Sequence, residues 1–280
     1  MTDISLPTWS VTDVHESLSS RSFVDAMERI GAQVHRLESL FDELDIRAID
    51  DVRVDPETGR RVDRAVMAFN ETVADLEVLE AYVYATVSTD SRDATAQSSL
   101  SELDVLGSRV APLLARLADF VDAHGVDALA SVSDEARDHH GPLTRLAARS
   151  AHQMSEVEEG LYAELSTTGS SAWGRLQADV TSQLTIDVEL PSGRTRLPMP
   201  AVRGLASDAD PLVRRAAYDA EMIAWPSVAT ACAAAMNAIK GEANTVNRRR
   251  QWDAPIDASL YANSVSRATF EAMQSAVTAS

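Results

Sequence analysis

Two histidines one helical turn apart can both reach one zinc ion, and a glutamate beside the first can activate the bound water, the chemistry of a His-Glu-x-x-His helix. This chain has one His-Glu dipeptide, His15-Glu16, and Ser19 stands where the second histidine would have to be. The six histidines fall at 15, 35, 124, 139, 140 and 152. His139 and His140 would point about 100° apart on a helix, an awkward pair for one ion. Glu135 and His139 share a helical face, which reads first as a solvated helix end with imidazole near the negative end of the dipole. Nucleophile and phosphate motifs are missing too. Gly169-Ser170-Ser171-Ala172-Trp173 lacks the Gly-x-Ser-x-Gly pattern of a strained nucleophile turn, and neither Gly-x-x-x-x-Gly-Lys-Ser/Thr nor Gly-x-Gly-x-x-Gly occurs. Cys232 lies among small apolar residues, where a thiol stays protonated and inert.

Two charged clusters remain. Arg248-Arg249-Arg250, followed by Gln251-Trp252, is basic in an otherwise acidic chain and could bind a peptide carboxylate. Its simpler reading is cationic side chains at a helix C-terminus. Glu156-Val157-Glu158-Glu159 could attract a cation, but successive helical positions diverge and a solvated face is the first expectation. The expected catalytic and metal-binding sets are therefore empty, with Arg248, Arg249 and Arg250 as weak substrate-binding candidates.

The elements that would position these groups are mostly helices. Phe23, Met27, Ile30, Val34, Leu37, Phe41 and Leu44 recur at steps of four and three, the spacing of one helical face. The same spacing predicts a helix carrying Val62 to Val83 and another from about Asp93 to His124, with Gly125 as its stop. Asp55-Pro56-Glu57-Thr58-Gly59 reads as a turn, a shorter helix ends near Gly141-Pro142, and one further helix carries Leu143, Leu146, Met154, Val157, Leu161 and Leu165. From Leu184 to Leu190 apolar and polar residues alternate. Pro191-Ser192-Gly193 then turns the chain, predicting a β-hairpin with Arg194 to Leu197. Asp210-Pro211 starts the next helix, Trp225-Pro226 breaks it, and another runs toward Arg248. A last helix begins near Ser266 and stops at Thr278-Ala279-Ser280 as if cut. The expected fold is mainly α, an antiparallel helical bundle with one small β-hairpin near 184–199. Its divisions are an extended lead-in at 1–20 that includes Pro7 and Trp9, a bundle over 21–183, and the hairpin with the start of a second, truncated helical region over 184–280.

Composition narrows the function classes. Among 280 residues, 43 are acidic and 25 basic, a formal charge of −18 that repels a phosphate backbone or an anionic lipid surface, so neither nucleic acid nor membrane is an expected partner. One cysteine allows no internal disulfide, and the start from Met1 to Pro7 shows no signal-peptide pattern; together these suggest the cytoplasm.

From His152 onward the sequence resembles the oligoendopeptidase F branch of the M3 zinc metallopeptidases. The segments that carry the resemblance are His152-Gln153-Met154-Ser155-Glu156-Val157-Glu158-Glu159, Leu165 to Gly169 with Ala172-Trp173 and Leu176, Leu205 with Asp208-Ala209-Asp210, Arg214 and Ala217, Ile239-Lys240-Gly241, and Arg250-Gln251-Trp252 with Ala254 to Leu260. The resemblance implies a helical N-terminal region that forms one wall of a channel for short peptides. It also implies that the zinc and its His-Glu-x-x-His helix belong to a later catalytic half outside this chain, which alone would be inactive. The alternative is a stand-alone, non-catalytic helical peptide-binding or scaffolding protein.

Overall fold

The computed structural model describes residues 10–48 and 52–279; the expectations about Met1 to Trp9 and about Ser280 lie outside them. The chain divides into two compact units. The first takes Met1–Ser150 and Glu156–Glu164, the second Ala151–Ser155 and Leu165–Ser280.

Three long helices build the first unit: α1 (Arg21–Glu43), α2 (Pro56–Thr89) and α3 (Ala94–His124). Each starts on a side-chain cap that accepts otherwise unpaired backbone N–H groups. Ser20 accepts from Phe23 at 3.4 Å, Asp55 from Glu57 and Thr58 at 2.9 Å, and Asp93 from Thr95 at 2.9 Å. Residues 10–20 carry no helix or strand, and Tyr82 donates its hydroxyl to the His15 carbonyl at 3.0 Å. The apolar stripes face inward as the spacing predicts. Phe23, Ile30, Leu79, Val83 and Leu103 fill one end of the core, while Phe41, Val62, Leu117, Phe120 and Leu129 fill the other. After α1 the chain turns through Asp45, whose φ is 51°, and two arginines satisfy the carbonyls there. Arg61 donates to Leu44 and Asp45 at 2.7 and 2.9 Å, and Arg116 to Ile46 at 2.8 Å.

Three expectations change in this unit. Asp55-Pro56 caps and opens α2 instead of forming a free turn, because proline at the first helical position loses no hydrogen bond. Gly59 therefore sits inside the helix, where a Cβ would lie 1.9 Å from the Val132 carbonyl oxygen; close approach, not turning, calls for glycine. The helix expected to end at Gly141-Pro142 is instead α4 (Val126–Val132) and α5 (Asp134–Asp138), and those two residues lie in the first turn of α6 (His140–Ser150). Buried Ser133 makes the break. Its hydroxyl caps α5 by accepting from Ala136 at 2.9 Å and donates to Asp63 at 2.6 Å. Finally, the helix expected to run from Leu143 to Leu165 is interrupted over 151–155, and α7 (Glu156–Thr168) leaves Val157, Leu161 and Leu165 exposed.

In the second unit α8 (Ser170–Ser182) leads to the antiparallel hairpin β1 (Thr185–Leu190) and β2 (Gly193–Pro198). Leu190 pairs with Gly193 around the Pro191-Ser192 turn, and Gly193 has a φ of 123°. Ile186 and Val188 face a small core with Met199 and Val202 of α9 (Met199–Gly204) and Ala217 of α10 (Pro211–Ala224). On the outer face Arg194 pairs with Asp187 at 2.8 Å and Glu189 at 3.5 Å, an exposed set that adds little stability. Asp210 caps α10, accepting from Leu212 at 2.8 Å. The Trp225-Pro226 break bends the path by 68° into α11 (Ala229–Arg249), followed by α12 (Pro255–Ala262) and α13 (Arg267–Ala279). The fold is mainly α with one two-stranded sheet among the described residues, as the sequence pattern predicts.

Candidate functional site

Two of the segments singled out in the sequence, at His152 and at Arg250–Trp252, meet in the second unit. At the end of α11, Arg248 and Arg249 are exposed and Arg250 is half-buried at the cap. Gln251, with a φ of 58°, turns the chain so that Trp252 presents its ring to His152. The two rings stack at 3.6 Å and 11°, and His152 Nδ1 donates to the Arg250 carbonyl at 3.2 Å, which fixes that tautomer. Tyr261 of α12 also packs on Trp252, its ring tilted by 46° at 5.6 Å. Asp257 accepts from the Ala254 backbone at 3.1 Å and pairs with Arg267, tying α12 to the start of α13. This stack also explains why the helix expected through Met154 is broken: His152 is committed to a partner about a hundred residues later.

A second junction joins α8 to α11. Gly169 offers no side chain to cap α8, and Glu242 supplies the missing acceptor, taking the Ser170 N–H at 2.8 Å. A Cβ at Gly169 would lie 2.6 Å from that carboxylate oxygen and 3.0 Å from the Leu165 carbonyl oxygen. The other oxygen, Glu242 Oε1, is buried with no hydrogen-bond partner. Sequence reasoning missed Glu242; its one signal is a helix start at Gly169 without a local cap.

The titratable groups elsewhere are held structurally. His139 donates from Nδ1 to the Glu135 carbonyl at 3.0 Å and accepts at Nε2 from Asn70 at 3.1 Å, capping α5 as a helix-end histidine. His140 meets Asp127 at 2.8 Å. His124 is buried, stacked on Phe120 at 4.0 Å, and burial pushes its pKa below the usual value. Glu159 is buried, so the acidic run at 156–159 is not the uniformly solvated face its spacing suggests. Among the described residues no three His, Cys, Asp or Glu side chains converge to hold a metal ion, and these donors do not fit a zinc site. No single described helix is long and apolar enough to cross a membrane; α10 with its following turn and α11 reach that composition only as the bent pair.

Comparison with known proteins adds two findings. Residues 122–185 match a family model for the N-terminal region of M3 peptidases, described as oligopeptidase F. That interval includes the His152–Glu159 and Leu165–Trp173 segments. No curated protein matches the sequence. Among solved structures, the crystal structure of oligoendopeptidase-F from Enterococcus faecium shares the fold with a TM-score of 0.70 at 16% identity, over 87% of this chain and 47% of that one. This chain thus spans about half the length of that enzyme. The chain is thus similar to M3 peptidases of the oligopeptidase F type over residues 122–185 in sequence, and to oligoendopeptidase-F in fold along most of its length.

Proposed function

We propose that this chain is the N-terminal, substrate-channel portion of a cytosolic M3-type zinc oligoendopeptidase that hydrolyses short peptides. The observation that carries the reading is the oligopeptidase F match at 122–185, with the fold likeness extending it along the chain. The helical units would form a wall that limits access to short, extended peptides, and Arg248, Arg249 and Arg250 would offer guanidinium groups to a peptide carboxylate. Zinc and its ligands would belong to a catalytic partner region; no step of the hydrolysis is assigned to residues of this chain. The apolar side chains of α13 support the reading, since Met273 and Val277 are exposed and would be covered by further protein.

The test has two arms. The native protein's intact mass should be near twice 30.2 kDa, and the purified 280-residue chain should cleave no short peptide. Chelator-sensitive cleavage by the chain alone would refute its inactivity. A native mass of 30.2 kDa would favour a stand-alone binding protein.

A further inference from the structure

The seam between α1 and α2 carries an arrangement that the peptidase reading does not use. The helices run antiparallel, linked by Gln33 Nε2 donating to Asp75 at 3.0 Å and by Arg64 pairing with Glu43 at 3.1 Å. One groove of ≈ 490 Å³ lies on the Glu43 side of Gln33, and another of ≈ 390 Å³ lies on the Ala26 side. Gln33 borders both, so they are two halves of one seam divided at its hydrogen bond to Asp75. Buried Ile30, Leu37 and Leu79 contribute an apolar floor.

The rims carry opposite signs. On α1 stand Arg29 and Arg36, two helical turns apart, and on α2 stand Glu71 and Asp75, one turn apart. Arg29, Arg36 and Glu71 are exposed and form no ion pair among the described residues, whereas Arg60, Arg64, Arg109 and Arg116 all do. A uniformly anionic ligand would meet Glu71 and Asp75, and a uniformly cationic one would meet Arg29 and Arg36. An extended peptide would also turn unpaired backbone groups toward the apolar floor, a cost that a helix avoids by bonding internally. From Ala26 to Glu43 the seam has the length of about 17 helical residues.

We propose that the α1–α2 seam docks an amphipathic helix of a partner protein, with a narrow apolar edge, an acidic flank toward α1 and a basic flank toward α2. Where the Gln33–Asp75 bond crosses the seam, the partner needs a small residue. This inference is independent of the peptidase reading.

The probe is a fluorescein-labelled helical peptide of about 17 residues, with alanine and leucine on its edge, glutamate on one flank and lysine on the other. Its binding to the full 280-residue chain is followed by anisotropy. Saturable binding is expected, weakened at least about tenfold by R29E/R36E, which makes both rims acidic. The charge-matched exposed control R21E/R137E should change it less than about twofold. A companion peptide with lysine on both flanks should bind R29E/R36E more tightly than the control variant. Circular dichroism checks the fold of each variant, and R36A supplies a milder second loss. Absence of saturable binding, or equal loss in the two double variants, overturns the proposal. So does a dimer of the chain that R29E/R36E dissolves, since a second copy would then be the occupant.

Discussion

Gly59→Ala is the sharpest probe of how the first unit is packed. In an exposed helix interior this substitution stabilises by about 1 kcal/mol, because alanine loses less backbone entropy. At position 59 the new Cβ would stand 1.9 Å from the Val132 carbonyl oxygen, where real contacts do not fall below 3.0 Å. The end of α4 must therefore withdraw by about 1.1 Å, the difference between those two distances. The atom in the way is backbone, so no side-chain rotation relieves it. Withdrawal pulls on Ser133, whose hydroxyl bonds Asp63 at 2.6 Å, and on fully buried Leu129. Overpacking costs about 1–3 kcal/mol and a weakened charge-assisted hydrogen bond about 1.5–3 kcal/mol, against about 1 kcal/mol gained. A net loss of about 1.5–5 kcal/mol follows, which lowers Tm by about 3–20 °C for a unit of this size. Differential scanning calorimetry of Gly59→Ala beside Gly31→Ala is the assay. Gly31 has nothing within 4 Å of its would-be Cβ and should hold or raise Tm. If Gly59→Ala melts at or above the unaltered protein, the close approach of α2 and α4 is wrong.

Two further outcomes follow from the same structure. His124 is buried with a lowered pKa, chiefly through loss of solvent. The unfolded chain takes up a proton near 6.5 while the folded one resists it, so stability is full above that value and falls as pH drops below it; H124Q should flatten that part of a denaturant-midpoint versus pH curve, and an unchanged curve would refute the assignment. Glu242→Ala removes the acceptor for the Ser170 N–H and should destabilise the α8–α11 junction by about 1–2 kcal/mol, read as faster amide exchange at Ser170, while Glu242→Gln, which keeps an amide oxygen, should retain protection there; equal exchange in both would refute the cap.

Much of the fold was legible because the long helices bury one face. The stripe from Phe23 to Leu44 and the Val62 and Leu103 series land in the core where their spacing puts them. Asp-Pro shows how a local signal can be overruled by its neighbours. Asp210-Pro211 reads as a helix start and is one, whereas Asp55-Pro56 reads as a turn because Thr58 and Gly59 follow. In fact Gly59 answers to Val132, a partner no local reading supplies. The break at 151–155 was equally hidden, since the pattern around it stays helical and its cause is the ring of Trp252. At the candidate site the grouping of family-like segments was legible as a set, but not the contacts that unite them. His152 on Trp252 and Glu242 on Ser170 join residues 72 or more positions apart.

The two units are not consecutive stretches of chain. The second claims Ala151–Ser155 before the first takes back Glu156–Glu164, where Glu159 and Ala163 are buried. Vectorial synthesis meets this interleaving directly. When Ser150 leaves the ribosome the three long helices are complete, yet the last piece of their own unit is still to be made. At about 5–20 residues per second, the fourteen residues through Glu164 arrive roughly one to three seconds later. A gene fragment ending at Ser150, the natural place to stop after α6, would encode a bundle that lacks its closing strip, and any recombinant version of the first unit has to run through Glu164.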